Sequence, residues 1–180
     1  MSRSLNCVVL RALFAAVTLG ARGAPATAQT SPGLPPWVAV DSGARIVTVT
    51  LDIVGGGAGS PASIAGFDHG RAQLVVPLGW TVKWRWTNRD SVNRHSLVVM
   101  AEREKLPSEG GRPVFDNAMT RMVTAGLKPG ETDLTSFEAD QAGWYWMLCG
   151  VAGHALRGEW IGLKVDRAAT LPSLFLKPPS

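Results

Sequence analysis

A thiol and an imidazole stand five residues apart in Cys149-Gly150-Val151-Ala152-Gly153-His154, and two of the four residues between them are glycine. A loop of that composition can fold back so that both donors face one ion, which two rigid strand positions at that separation would do less readily. A second imidazole, His95, lies far earlier in the chain, directly ahead of the β-rich run Ser96 to Ala101. Antiparallel pairing of the two segments would bring it alongside. Two imidazoles and one thiolate in a trigonal arrangement, with a weak axial donor, form a copper site that cycles between Cu(I) and Cu(II) with little reorganisation. On the residues alone, His95 has a second reading as a capping side chain at a strand start.

The rest of the composition narrows the chemistry. The chain has 180 residues, with 18 Lys and Arg against 14 Asp and Glu and a formal net charge of +4. Its first 28 residues read as a secretory signal peptide: Arg3 near the start, a mostly apolar run from Ala12 to Leu19, and the small-x-small pattern Ala26-Thr27-Ala28. Cleavage before Gln29 removes Arg3, Arg11 and Arg22, leaving 152 residues and a net charge of +1. Arg11 interrupts the apolar stretch, which is far shorter than the roughly 20 residues of a spanning helix. No spanning segment is therefore expected after cleavage, and the expected location is the periplasm or the outside of the cell. Cys7 belongs to the leader and lacks the small neighbours of a lipid-modified cysteine. The remaining Lys and Arg are scattered singly, which argues against nucleic acid as a partner.

After cleavage one cysteine remains, Cys149, with three histidines, His69, His95 and His154. An internal disulfide, an all-cysteine zinc site, an ordinary iron-sulfur cluster and haem attachment through paired cysteines all need more thiols. A lone thiol in an oxidising compartment is a liability unless it is buried, paired with another chain or bound to a metal.

Short strands must position these donors. Residues 29–43, rich in Pro and Gly, read as a flexible arm, and residues 44–167 as one folded domain. Val47, Val49, Leu51 and Ile53 alternate with Ile46, Thr48, Thr50 and Asp52, giving a strand that ends at Gly55-Gly56-Gly57. Ala72 to Pro77 and Trp80 to Asn88 are two more, and in the second Trp80, Val82, Trp84 and Trp86 share the face expected to be buried. Ser96 to Ala101, Thr132 to Glu138, Trp144 to Cys149 and Glu159 to Val165 complete the set. The connection Glu102 to Leu127 holds the only candidate helix, a short turn capped by Asn117 and running through Met122. Residues 168–180 read as a loose tail. About seven short strands with Gly and Pro punctuation predict an all-β, antiparallel sandwich or barrel.

Three motifs carry a resemblance: Trp86-Thr87-Asn88, then Asn93-Arg94-His95-Ser96-Leu97, then Gly143-Trp144-Tyr145-Trp146-Met147-Leu148-Cys149 continuing through His154. Together they resemble the cupredoxins and are most similar to the sulfocyanins. Ala65-Gly66-Phe67-Asp68-His69-Gly70 and Val76-Pro77-Leu78-Gly79-Trp80-Thr81-Val82 support the match, which extends from Ile46 to Val165. The resemblance implies a cupredoxin-like Greek-key sandwich or barrel of seven to eight strands. It further implies one type 1 copper ion, with His95, Cys149 and His154 as equatorial ligands. At the axial position sulfocyanins carry a methionine five residues after the second histidine, and here that residue is Glu159. Either Glu159 reaches the metal, where a hard, charged donor favours Cu(II) and lowers the potential, or it turns outward and leaves the place to a backbone carbonyl such as that of Arg94, or to nothing.

By the same resemblance the protein shuttles single electrons and turns over no substrate. Its expected partners are redox proteins such as a cytochrome or a terminal oxidase. They would dock on the small apolar patch of Val151, Ala152, Ala155 and Leu156, with Arg157 at the rim. Two rivals stand beside this reading: a copper carrier, and a binding module or subunit that has lost its metal, which Glu159 in place of methionine would favour. An independent copper oxidase or nitrite reductase would need more histidines than His69, which reads as a surface residue in an Asp-His-Gly turn. Met100, Met119, Met122 and Met147 read as packing residues, although Met119 and Met122 lie in the connection from Glu102 to Leu127 and are open to a role at the axial place. The tryptophans read as core rather than as stacking platforms.

Overall fold

The computed structural model describes residues 33–55 and 61–177. The expected leader, Gly56-Gly57 of the first predicted turn, and the last three residues lie outside the described residues. Alternation in the sequence becomes alternation in burial. In β2 (Ile46–Val54) Val47, Val49, Leu51 and Ile53 are fully buried, and in β5 (Thr81–Asn88) Val82, Trp84 and Trp86 turn inward while Lys83 and Arg85 face solvent. The other strands are β1 (Val38–Asp41), β3 (Ser63–Ile64), β4 (Ala72–Pro77), β6 (Val98–Ala101), β7 (Thr132–Glu138), β8 (Gly143–Leu148), β9 (Trp160–Asp166) and β10 (Ser173–Leu176).

They form two five-stranded sheets, one in the order β1-β2-β5-β7 with β3 on β2, the other in the order β10-β4-β9-β8-β6. The core between them holds Leu51, Ile53, Leu74, Trp84, Trp86, Met147, Ile161 and Leu163. Phe115 stacks on Phe137 and meets Tyr145 edge-on, at ring-centroid distances of 5.2 and 4.9 Å.

The expected all-antiparallel pairing does not hold, because β2 pairs β5 and β4 pairs β9 in parallel. From β3 to β8 each successive strand falls in the other sheet, so β2 and β5, and β4 and β9, become neighbours though distant in sequence, and a period of two reports which face is buried but not strand direction. The arm and the tail also differ from expectation. Val38 and Val40 of the arm are buried on β2, from Val38 opposite Val49 to Asp41 opposite Ile46. Residues 173–176 of the tail pair with β4 through the backbone, while Phe175 and Leu176 stay exposed. These two strands and the two-residue β3 raise the count from seven or eight to ten.

The connection from Glu102 to Leu127 contains no helix. Asn117 and Met122 adopt left-handed backbone angles, with φ of 63° and 55°, which interrupt any helical run. The segment instead lies irregularly along β6: Val99 N–H donates to the Ala118 carbonyl (2.9 Å) and Thr120 N–H to that of Leu97 (2.8 Å). Phe115 and Ala118 are thereby buried in the core.

Candidate metal centre

At one end of the sandwich Leu148, the last residue of β8, pairs with Val98 on one side and Trp160 on the other. The chain just past these residues carries the predicted donors. Cys149 follows β8, and its N–H donates to the Glu159 carbonyl (2.9 Å), closing the base of the loop between β8 and β9. Inside that loop a single 3-10 turn, Ala155–Arg157, begins at His154 and ends at Gly158, whose φ of 106° favours glycine. His95 is held by a reciprocal pair of backbone hydrogen bonds with Leu127, 3.2 and 2.8 Å. The strand edges thus fix where each donor starts.

The four side chains converge. His154 Nδ1 lies 3.2 Å from His95 Nδ1, 3.5 Å from Cys149 Sγ and 2.8 Å from Glu159 Oε2. His95 Nδ1 lies 3.0 Å from Glu159 Oε2 and 3.8 Å from Cys149 Sγ. One donor atom from each of the four residues fits within a mutual separation of 4.8 Å. His95, Cys149 and Glu159 are buried, and the His154 side chain is 12% exposed. Glu159 therefore turns inward, and of the two placements open to it in the sequence the structure adopts the inward one. Met119 and Met122 are exposed.

The ionisation behaviour follows from this crowding. Burial opposes the charged form of Glu159, but hydrogen bonds from His154 and His95 outweigh it and hold the carboxyl at about 2. Burial would also lower both histidines, yet Cys149 and Glu159 raise His154 to about 9, and the same two groups with Asp90 raise His95 to about 10. Burial would push the Cys149 thiol up, while His154 and His95 bring it below its ordinary value. An acidified thiol and carboxyl thus face two imidazoles of raised basicity, and such a cluster either holds protons or replaces them with a cation. A set of one sulfur, two nitrogens and one oxygen fits a mononuclear transition ion such as copper.

Several supporting residues were not singled out from sequence. Ser96 N–H points at Cys149 Sγ (3.4 Å), and its hydroxyl accepts from Gly150 N–H (2.9 Å) while donating to the Val123 carbonyl (2.6 Å). Asp90, itself buried, accepts from His95 Nε2 (3.0 Å). Asp90 stands five residues ahead of His95 in a polar turn, a spacing that carries no signal without knowledge of how the turn folds. His69 is exposed, as expected, and outside the cluster; its N–H donates to the Gly158 carbonyl (2.7 Å) and its ring lies against Gly158, bracing the loop.

Gly150 is needed for close approach. A Cβ there would fall 2.7 Å from Val123 Cγ2 and 2.8 Å from the Val123 carbonyl oxygen. Gly150→Ala is expected to cost about 1–3 kcal/mol of stability in the metal-free protein, measured by urea unfolding, and to weaken metal uptake. Unchanged stability and uptake would show that the loop has room the structure denies it.

Two packed mixed sheets closing at one end on a His-Cys-His cluster define a cupredoxin-like sandwich. The chain belongs to the sulfocyanin family: the sulfocyanin (SoxE) domain matches residues 36–175. That match reaches past the Ile46-to-Val165 resemblance at both ends and takes in β1 and most of β10. No curated protein matches the chain in sequence. Among solved structures it is similar to reduced auracyanin from the photosynthetic bacterium Roseiflexus castenholzii, at 20% identity over 65% of this chain and 96% of that one, with a TM-score of 0.44. It is similar to reduced rusticyanin at 23% identity over 68% of this chain and 85% of that one, TM-score 0.45. A multicopper oxidase shares the fold at 18% identity over 84% of this chain and 48% of that one, TM-score 0.50.

Proposed function

We propose that this protein is an exported one-electron carrier that holds a single copper ion between His95, Cys149 and His154, with Glu159 as the fourth donor. The observation that carries the reading is the convergence of four mutually close donor atoms in a buried site, each tethered to a strand end or to a hydrogen-bonded loop. When bound, copper would supply the one-electron couple. The chain supplies a donor set whose positions are held by the surrounding sandwich, so that little has to move when the charge changes. Ser96 N–H faces the thiolate sulfur, and Val98, Trp146, Leu148 and Ala155 form an apolar cluster beside the site.

His154 is the most exposed of the four donors, and Leu156 beside it is 59% exposed. With Val151 and Ala152 they form the surface on which a redox partner such as a cytochrome or terminal oxidase would dock, with Arg157 at the edge; Ala155, expected in this patch, is instead buried against Val98 and Leu148. Export rests on the leader reading, and a buried thiol that binds metal is compatible with an oxidising compartment. Among the described residues no helix is long and apolar enough to cross a membrane. The reading is of a carrier without substrate turnover.

Voltammetry of the copper-loaded protein tests it. The expected result is a reversible one-electron wave together with fast oxidation of the reduced protein by a c-type cytochrome or oxidase preparation. Tight Cu(I) binding without reversible cycling would overturn it in favour of copper delivery, and absence of copper uptake would leave a metal-free binding module.

A further inference from the structure

Asp90 makes more contacts than the turn it sits in requires. Its Oδ1 accepts from Val92 N–H (2.7 Å) and Asn93 N–H (3.0 Å), and its Oδ2 accepts from Asn93 Nδ2 (3.2 Å) and His95 Nε2 (3.0 Å). The turn is anchored independently through Asn88, whose Oδ1 accepts from Asp90 N–H (2.9 Å) and whose Nδ2 donates to the carbonyls of Asn93 (2.9 Å) and Leu127 (3.0 Å). Gly55 closes over the other side: a Cβ there would fall 2.6 Å from Asp90 Oδ2, so the backbone at the end of β2 packs directly against the carboxylate. Capping the turn uses only Oδ1, and an asparagine would serve for that. The second oxygen, aimed at His95, is what calls for aspartate.

Both ring nitrogens of His95 face a carboxylate oxygen at 3.0 Å, Nδ1 that of Glu159 and Nε2 that of Asp90; once a cation replaces the proton on Nδ1, the single proton of the neutral ring stays on Nε2, where Asp90 accepts it. Nδ1, the atom facing Cys149, His154 and Glu159, is then left with its lone pair. A metal bound at Nδ1 draws electron density from the ring and makes Nε2–H more positive. A buried anion stabilises that change, and does so more for a divalent than for a monovalent ion. We propose that Asp90 is a positioning residue of the metal centre, which holds His95 in its Nδ1-donor form and biases the site toward divalent ions. The inference rests on the copper reading above for its redox consequence only.

The test uses the full chain and Asp90→Asn, with Zn²⁺ and copper as probes. In the variant, Oδ1 can still cap the turn, but an amide N–H₂ then confronts His95 Nε2–H, donor against donor. The expected result is a loss of Zn²⁺ affinity of about 10- to 100-fold. The ratio of Cu²⁺ to Cu⁺ affinity should also fall by at least about tenfold, equivalent to a rise in potential of about 59 mV. Asn93→Ala, which removes a bond to Oδ2 but leaves the His95 contact, should change neither by a comparable amount. Nitrogen-15 NMR of the wild-type Zn²⁺ form should show the His95 proton on Nε2, an observation that does not depend on the variant folding. Wild-type affinity and potential in Asp90→Asn, an equal effect from Asn93→Ala, or a His95 proton on Nδ1 would each overturn the proposal. A Zn²⁺ site that depends on Asp90 in a protein giving no thiolate-to-copper absorption would instead overturn the copper reading and leave the role of Asp90 standing.

Discussion

Cys149→Ser is expected to abolish the intense thiolate-to-copper absorption of the Cu²⁺-loaded protein and the reversible one-electron wave with it, while the sandwich stays folded. The band is a charge transfer from sulfur, and Cys149 is the sole thiol among the described residues. A serine hydroxyl is a harder and far less acidic donor, so it supplies neither the absorption nor the soft ligand that stabilises Cu(I). The fold should tolerate the change, because the new oxygen would face Ser96 N–H and the two imidazoles that now surround Sγ. The measurements are visible absorption and voltammetry, with far-ultraviolet circular dichroism as the check on folding. A band that persists in Cys149→Ser would remove sulfur from the site.

Glu159→Met is expected to raise the reduction potential by on the order of 100–200 mV. The carboxylate oxygen sits within hydrogen-bonding distance of both ligand imidazoles and carries a full negative charge. At about 4 Å and an effective dielectric constant of about 20, one extra unit of positive charge on the ion gains about 4 kcal/mol from such an anion. A tenfold change in a one-electron equilibrium is about 59 mV, so replacing that anion by a neutral thioether moves the couple by a few such steps toward Cu(I). Voltammetry of the two proteins at one pH and ionic strength reads the difference. An unchanged potential would mean that Glu159 swings away from the metal on loading.

Much of this arrangement was legible in the sequence. The inward faces of β2 and β5 follow from strict alternation, and β4 and β7 were bounded as they are because turn residues punctuate them. Cys149 and His154 announce themselves by spacing across a glycine-containing loop, whereas His95 needed the family motif to rise above a strand-capping reading. Strand direction was not legible, since burial alternation is the same for parallel and antiparallel neighbours. β10 was hidden because it is held by backbone hydrogen bonds, with little side-chain burial to pattern it. Glu159 stands out as a departure, but its orientation depends on two imidazoles, one in its own loop and one brought from 64 residues earlier in the chain. Asp90 was missed for the same reason: a carboxylate five residues from a histidine becomes its hydrogen-bond acceptor only once the Asn88-anchored turn has folded.

The claim that the protein is built around a His-Cys-His-Glu copper centre is tested most directly by titrating Cu²⁺ into the purified protein, with visible absorption and X-ray absorption at the copper edge. The account predicts saturation at one ion per chain, an intense thiolate band growing in step with uptake, and a copper shell containing one sulfur and two imidazole nitrogens. Folded protein that takes up no copper, or copper with no sulfur neighbour, would contradict it.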